Sequence, residues 1–196
     1  MLPHIFCPVS ATDDLDLLED LAVAGVAGFR VRDKDATTSE LVALTRLVLA
    51  AVRPSGAMVI VDDRLDVALA TGADGVHLGA DDLSVADARR LAPDLVIGAT
   101  CRNAEAVHRA AVDGATYAGF GPVFATESKA GLPTPLGVDA ITGAMGVLPL
   151  VAIGGIDADR ARRCIDAGAH GVAVIGALWR HPDPLAAAKE LMTAVG

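Results

Sequence analysis

The sequence lacks the features that would indicate a membrane-spanning, secreted or disulfide-rich protein. Its 196 residues contain no apolar run of about 18 residues, the length that a membrane-spanning helix needs. The start, MLPHIFCPVS, has neither a basic segment nor a long apolar one, so we expect no signal peptide. The three cysteines are odd in number and lack metal-ligand spacing, which argues against a disulfide scaffold. We therefore expect reduced thiols in a cytoplasmic protein.

Positive charge is also scarce. Lys and Arg total 16 against 25 Asp and Glu, a formal net charge of −9. A nucleic-acid surface needs clustered Lys and Arg, so we expect neither a nucleic-acid partner nor a membrane partner. Only three of the cations are lysines: Lys34, Lys129 and Lys189. Because lysine is so rare here, the position of each one is informative.

What the chain does contain is a regular alternation of strand and helix patterns. Its 53% hydrophobic content excludes disorder. Short continuous apolar runs are typical of buried parallel strands, and alternating strands and helices predict a parallel sheet. The predicted strands are His4–Val9, Gly28–Asp33, Met58–Asp63, Gly75–Gly79, Leu95–Cys101, Tyr117–Phe124, Leu148–Ile156 and Gly171–Leu178. The predicted helices are Asp14–Ala24, Thr38–Val52, Arg64–Ala70, Ser84–Leu91, Asn103–Val112, Val138–Val147, Asp157–Ala167 and Pro184–Val195.

An internal repeat favours closure of the sheet into a barrel. Similar segments end a helix with Gly25, Gly72, Gly114 or Gly168 and enter every second predicted strand. The prediction is an α/β fold, a single (βα)8 TIM barrel over residues 1–196, with an open doubly wound sheet as the alternative. About 200 residues is near the lower limit for this barrel. The one long loop, Ala125–Leu136, is therefore a candidate for function.

Active sites of such barrels lie at the carboxyl ends of the strands. At the end of predicted strand two, Arg30, Arg32 and Lys34 share one side because strand side chains alternate. If they face inward, they form an anion site above the barrel core. The alternative is that they face the helices and pair with acidic residues there.

Carboxylates follow the next two predicted strands. Asp62 and Asp63 end strand three, and Asp81 and Asp82 follow strand four. Mg²⁺ favours one or two carboxylates together with phosphate oxygens and water, so the four positions predict a magnesium site. The alternative is that Asp81 and Asp82 cap the next helix and that Asp62 or Asp63 pairs with Arg64.

The remaining strand ends add hydroxyls and a thiol. Thr100, at the end of strand five, is a catalytic candidate. Cys101 has no neighbouring base in sequence and is better interpreted as a buried thiol. His77, in the middle of a strand, is interpreted as a packed or hydrogen-bonded histidine. Thr126, Ser128 and Lys129 in the long loop suit an oxyanion, although a solvated loop is the alternative.

The last two strand ends predict a phosphate site made of backbone N–H groups. The candidates are Gly155, Ile175 and Gly176. Two anion sites beside a metal predict two small phosphorylated substrates and a metal that assists the departure of pyrophosphate.

Five segments in this order resemble the thiamine phosphate synthase (thiamine-phosphate pyrophosphorylase) family, part of a superfamily shared with thiazole tautomerases. The segments are Arg32–Asp35, Val61–Arg64, Gly75–Asp82, Gly121–Gly131 and Val151–Ile156. The resemblance implies a transferase that condenses hydroxymethylpyrimidine diphosphate with thiazole phosphate to give thiamine phosphate and pyrophosphate, assisted by Mg²⁺.

The resemblance also implies roles for individual residues. Arg32, Lys34 and Lys129 would hold the diphosphate, and Asp63 and Asp82 would hold Mg²⁺. Thr126 and Ser128 fall on hydroxyl positions of the family loop, and the thiazole phosphate would bind at Gly155 and around Gly176.

Several positions depart from the family pattern, among them the segment Gly98–Arg102 and the N-terminal strand Ile5–Val9, and four bear on specificity. Arg30 and Asp62 replace Gln and Asn, and we expect them to pair because they lie at adjacent strand mouths. Arg102 and Gly176 replace His and Ser. These changes leave two alternatives to the synthase: a thiazole tautomerase-like isomerase, whose relatives lack the metal aspartates, or a non-catalytic phosphate-binding paralogue. A homo-oligomer is compatible with the synthase and with both alternatives.

Overall fold

The computed structural model describes residues 1–126 and 133–196. Eight parallel strands close into a barrel in chain order, with β1 paired to both β2 and β8. The strands are β1 Ile5–Val9, β2 Gly28–Val31, β3 Met58–Asp62, β4 Gly75–Leu78, β5 Val96–Cys101, β6 Tyr117–Phe120, β7 Leu150–Ile153 and β8 Gly171–Ala173. The predicted (βα)8 barrel is thus confirmed, and the open sheet is excluded.

Helices surround the barrel. In the described part of the chain they are α1 Leu18–Val23, α2 Thr38–Val52, α3 Leu65–Thr71, α4 Val85–Leu91, α5 Ala104–Val112, α6 Asp139–Thr142, α7 Ala158–Asp166, α8 Gly176–Trp179 and α9 Pro184–Val195. The bounds of α2 and α9 match the prediction. The first turn of α2 shows why: the Thr37 hydroxyl accepts from the Glu40 N–H, and the Glu40 carboxylate accepts from the Thr37 N–H. No helix in these ranges is long and apolar enough to cross a membrane.

Two predicted elements near the carboxyl end of the chain are wrong in extent. Predicted strand eight, Gly171–Leu178, ends at Ala173, and Gly176–Trp179 is a short helix. A continuous apolar run does not distinguish a buried strand from a buried helix. The predicted helix Val138–Val147 is reduced to one turn, Asp139–Thr142, because glycines follow it and glycine disfavours helix.

The strands before them also end earlier than predicted. Predicted strand six, Tyr117–Phe124, ends at Phe120 before Gly121 and Pro122, and predicted strand seven, Leu148–Ile156, ends at Ile153. Gly154 and Gly155 have φ angles of 101° and 64°, which are incompatible with a strand.

The core has two parts. The larger lies between the barrel and the helices. The smaller lies inside the barrel and consists of Phe6, Ile60, Tyr117, Val151 and Ala173. The rings of Phe6 on β1 and Tyr117 on β6 stack at 5.6 Å, a contact that crosses the interior because the two strands are not neighbours. This part of the barrel interior is therefore packed with apolar side chains. Any chemistry is confined to the layer nearer the carboxyl ends of the strands.

Candidate active site

A buried ion pair forms the floor of the barrel mouth. Arg30 donates from Nε to Asp62 Oδ1 at 2.9 Å and from Nη2 to Oδ2 at 2.8 Å. Both residues are 5% exposed. Burial lowers the pKa of Arg30, but the charge and hydrogen bonds of Asp62, together with the charges of Tyr117 and Asp63, raise it above its ordinary value. Arg30 therefore points into the barrel and pairs with Asp62, as expected, rather than facing the helices.

Two further cations lie next to this pair. Arg32 Nε is 3.8 Å from Asp62 Oδ2, and its side chain is 34% exposed. Lys34 is exposed. The guanidinium groups of Arg30 and Arg32 thus share the carboxylate of Asp62, so this cluster carries one positive charge in excess. Like charges crowded in this way favour binding of an anion.

Asp63 and Asp82 are brought together beside the cations. The two carboxyl groups are close enough for Asp82 to raise the pKa of Asp63, and Asp82 Oδ2 accepts from the Gly79 N–H at 2.7 Å. Burial, followed by the charges of Asp62 and Asp82, raises the pKa of Asp63 from 3.8 to about 6, while Lys34 lowers it. Two carboxylates held this close need a shared proton or a cation between them. A pair of carboxylates is also a set of ligands that Mg²⁺ accepts.

The alternative roles considered for these aspartates are not observed. Arg64 pairs with Asp66 at 2.6 Å. Helix α4 is capped by Ser84, whose hydroxyl accepts from the Asp87 N–H at 3.1 Å. Asp81 is exposed. Among the residues that the structure describes there is no group of three or more His, Cys, Asp or Glu side chains that could hold a metal. A magnesium ion here would therefore depend on two carboxylates and on substrate oxygens.

The raised pKa of Asp63 predicts a pH dependence of stability in metal-free protein. The folded state binds this proton more tightly than the unfolded chain does, because the pKa is about 6 instead of 3.8. The resulting stabilisation is present below pH 3.8 and is lost as the pH rises through 6. We expect urea unfolding to show this loss in the wild type and a smaller one in Asp63→Asn. Equal pH dependence in the two proteins would contradict the assignment.

His77 lies in a buried hydrogen-bonded chain with Tyr117 and Thr100. Its Nδ1 is 3.0 Å from the Tyr117 hydroxyl, and its Nε2 is 3.0 Å from Thr100 Oγ1. Burial and the charge of Arg30 lower the pKa of His77 well below its ordinary value, so the ring is neutral. The interpretation of His77 as a hydrogen-bonded histidine is confirmed. Tyr117 was missed, because only the register that places it opposite Gly98 reveals that it reaches this ring.

The end of β5 holds a protonated thiol and a loop anchor. Burial raises the pKa of Cys101 to about 11, which makes it a poor nucleophile. All three cysteines are free and buried. Arg102 donates from Nη2 to the Thr134 carbonyl at 2.9 Å and so ties β5 to the returning side of the long loop. Its buried Nη1 has no partner among the described residues.

The segment that leads from β6 into the long loop packs against the end of β7. Val123 N donates to Ile153 O at 2.8 Å, and Phe124 N donates to Gly154 O at 3.1 Å. A Cβ added at Gly155 would lie 2.2 Å from the Ala125 carbonyl oxygen. Only glycine fits this close approach, which brings the candidate phosphate position Gly155 against the first residue of the loop.

Two arginines support this junction from α7. Arg160 donates from Nη1 to the Gly155 carbonyl at 2.6 Å. The guanidinium groups of Arg160 and Arg163 lie 5.1 and 5.3 Å from the centroid of the Phe124 ring. Such cation–π contacts hold an aromatic ring in place. Thr126 is half-buried at the edge of this junction, whereas Ser128 and Lys129 lie outside the described residues.

The last candidate phosphate residues start the short helix α8 and do not end a strand. The Ile175 carbonyl accepts from the Leu178 and Trp179 N–H groups, and Trp179 Nε1 donates to the Pro8 carbonyl at 2.7 Å. A Cβ at Gly176 would meet only Arg180 Cδ, at 3.9 Å. Space therefore remains beside Gly176.

Comparison with known proteins places this geometry in a family. Residues 4–178 match the family model for thiamine monophosphate synthase. A thiamine-phosphate synthase of Chlorobium phaeovibrioides is 46% identical over 86% of this chain and 82% of its own length. That of Chlorobium luteolum is 43% identical over 97% and 93%. The solved thiamine phosphate pyrophosphorylase of Pyrococcus furiosus superposes with a TM-score of 0.88 at 32% identity, covering 97% of this chain and 94% of that one. From the matched residues, the identities and the shared barrel, we conclude that the chain belongs to the thiamine monophosphate synthase family.

Proposed function

We propose that this chain is a thiamine phosphate synthase, a transferase that joins hydroxymethylpyrimidine diphosphate to thiazole phosphate and releases pyrophosphate. The observation that supports it best is the arrangement at the mouth. The carboxyl groups of Asp63 and Asp82 interact with each other beside the cluster of Arg30 and Arg32 around Asp62. A diphosphate needs both features, because its charge is shared between cationic side chains and a metal ion.

The proposed reaction exchanges one bond for another and needs no redox partner. The bond between the pyrimidine methylene carbon and the diphosphate oxygen breaks, and its electron pair leaves with the diphosphate. The lone pair of the thiazole nitrogen then forms the new C–N bond to the same carbon. In the proposed site Arg32, Lys34 and Lys129 bind the diphosphate and stabilise the negative charge that develops as the bond breaks.

Asp63 and Asp82 would hold the Mg²⁺ ion. When bound, the ion supplies additional positive charge to the diphosphate oxygens. Asp62 is unsuited to this role because both of its oxygens accept from Arg30. We therefore assign Arg30 and Asp62 to the floor of the substrate pocket and not to the metal.

The second substrate is assigned to the ends of β7 and β8. Backbone N–H groups at Gly155, Ile175 and Gly176 would bind the thiazole phosphate, as the loops after strands seven and eight of such barrels commonly do. Thr126 and Ser128, on the loop that starts at this junction, would add hydroxyls. Thr100 contributes its hydroxyl from β5.

The proposal extends to the whole chain. Residues 1–196 form one domain, because closure of the barrel needs β1 and β8 to pair. We place the enzyme in the cytoplasm, with small phosphorylated molecules as its partners. The net charge of −9 is unfavourable for a nucleic acid or an anionic membrane surface. Homo-oligomerisation stays a prediction.

One assay tests the function. Purified protein is incubated with both substrates, with and without Mg²⁺, and thiamine phosphate is measured. Product formation only with Mg²⁺ supports the synthase. Tautomerisation of the thiazole carboxylate without metal would indicate the isomerase, and binding of phosphate ligands without either activity would indicate the non-catalytic paralogue.

The metal assignment predicts the behaviour of Asp63→Asn. Asparagine keeps the shape and tolerates the backbone conformation but removes the charge, so the Mg²⁺ concentration for half-maximal rate should rise about tenfold or more. Asp81→Asn is the matched control. Asp81 is exposed, so this change should leave the Mg²⁺ titration unchanged. An unaltered Mg²⁺ titration for Asp63→Asn would remove it from the metal site.

A further inference from the structure

A hydrogen-bonded chain runs from the packed interior of the barrel to its mouth. It begins at the Tyr117 hydroxyl, passes through both nitrogens of His77 and ends at Thr100 Oγ1, with 3.0 Å for each contact. Tyr117 is fully buried and His77 is 4% exposed, whereas Thr100 is exposed at the mouth. The hydrogen bonds therefore connect one side chain that substrate can reach, Thr100, with two that it cannot, His77 and Tyr117.

Two glycines leave the space that this chain occupies. A Cβ at Gly98 would lie 2.4 Å from His77 Nδ1 and 2.3 Å from Tyr117 Cζ. A Cβ at Gly119 would lie 2.6 Å from His77 Cε1. The strand register places Gly98 beside both His77 and Tyr117, and Gly119 beside Thr100. The imidazole thus has one position across the interior, between its two hydroxyl partners.

The surroundings determine the direction of the hydrogen bonds. A neutral imidazole has one N–H donor and one acceptor nitrogen. If Thr100 donated to Nε2, Nδ1–H would donate to Tyr117, and the tyrosine proton would be left in an apolar layer without an acceptor. Such an unmade buried hydrogen bond costs about 1–3 kcal/mol.

We propose that Tyr117 and His77 are positioning residues that make the Thr100 hydroxyl a hydrogen-bond donor toward a phosphate oxygen in the mouth. Tyr117 donates to Nδ1, Nε2–H donates to Thr100 Oγ1, and the Thr100 proton is then directed away from the chain. This role rests on the proposed function for its substrate, but the orientation of the chain does not depend on activity.

The orientation is tested by nitrogen NMR of ¹⁵N-histidine-labelled protein without substrate. We expect the His77 ring of the wild type to carry its proton on Nε2. In Tyr117→Phe, which keeps the ring but lacks the donor, the Nδ1–H form should appear. A wild-type His77 protonated on Nδ1 would overturn the proposal whether or not the protein proves to be a synthase.

A double-mutant cycle tests the consequence for substrate. It compares the affinity for inorganic pyrophosphate and kcat among the variants. Thr100→Val and Tyr117→Phe should each weaken binding or lower kcat about 10- to 100-fold, as expected for one hydrogen bond to a charged group. The double variant should be no worse than Thr100→Val, because both changes remove the same donor. Additive losses would refute the coupling.

A matched control removes a buried hydroxyl elsewhere. Thr45 on α2 is fully buried and donates to the Leu41 carbonyl at 2.7 Å. Thr45→Val should lower stability to a similar extent as Tyr117→Phe but leave pyrophosphate binding, kcat and the His77 tautomer unchanged. If Thr45→Val reduced kcat as much as Tyr117→Phe does, the effect of Tyr117 would be one of stability alone, and the positioning role would be rejected.

Discussion

Asp62→Ala is expected to lower the free energy of unfolding by about 3–5 kcal/mol, the cost of leaving a buried charge without its partner. Arg30 is 5% exposed, and its Nε and Nη2 atoms would lose the two acceptors that Asp62 provides. Urea denaturation of the wild type and the variant measures this loss. Arg90→Ala, which breaks the exposed pair of Arg90 with Asp87, should change the unfolding midpoint very little.

The double variant Arg30→Gln/Asp62→Asn separates the pair from its individual charges. It places uncharged amides at both positions, so neither residue carries a buried charge. We expect it to be clearly more stable than Asp62→Ala and within about 1–2 kcal/mol of the wild type. A double variant as unstable as the sum of its single changes would show that the two side chains act independently.

Lys129→Ala is expected to lower turnover by about 10²- to 10³-fold, the loss typical of removing one group that stabilises transition-state charge. Lys129 comes four residues after Ala125 in the sequence, and the eight strands that close the barrel all lie among the described residues. The melting temperature should therefore stay that of the wild type while kcat falls.

Lysine is rare enough in this chain to offer a matched control. Lys189 is exposed on α9 and is the third of the three lysines. Lys189→Ala removes the same charge and should leave kcat and KM for both substrates unchanged. Wild-type rates in Lys129→Ala would remove this residue from the diphosphate site.

The barrel itself could be predicted from the sequence because its signals are local. Helix caps, glycine at helix ends and short apolar runs repeat along the chain, and α2 and α9 begin and end where their caps indicate. Helix α8 was not predicted at all, because Val174–Leu178 is apolar throughout. Whether such a run continues a strand or turns into a helix depends on packing, here on the contact of Trp179 with the Pro8 carbonyl.

The site could be predicted only as a set of strand ends. Alternation within strand two placed Arg30 and Arg32 on one side, and the pairing of Arg30 with Asp62 followed from adjacent strands. The Tyr117 contact could not be predicted, because it depends on the register of strands and on the space that two glycines leave across the interior. Long-range register is set by closure of the whole barrel and not by any local pattern.

The backbone of Asp63 has a consequence for how this protein can evolve. Its φ of 67° is the one left-handed value at a non-glycine residue in the described chain. Glycine would adopt this conformation without strain and would also remove the repulsion from Asp62 and Asp82. In a mutant library selected for thermal tolerance alone, we expect glycine to be enriched at position 63. A selection that requires thiamine synthesis for growth should restore aspartate, because the proposed ligand role of Asp63 would then outweigh the preference of the fold for glycine.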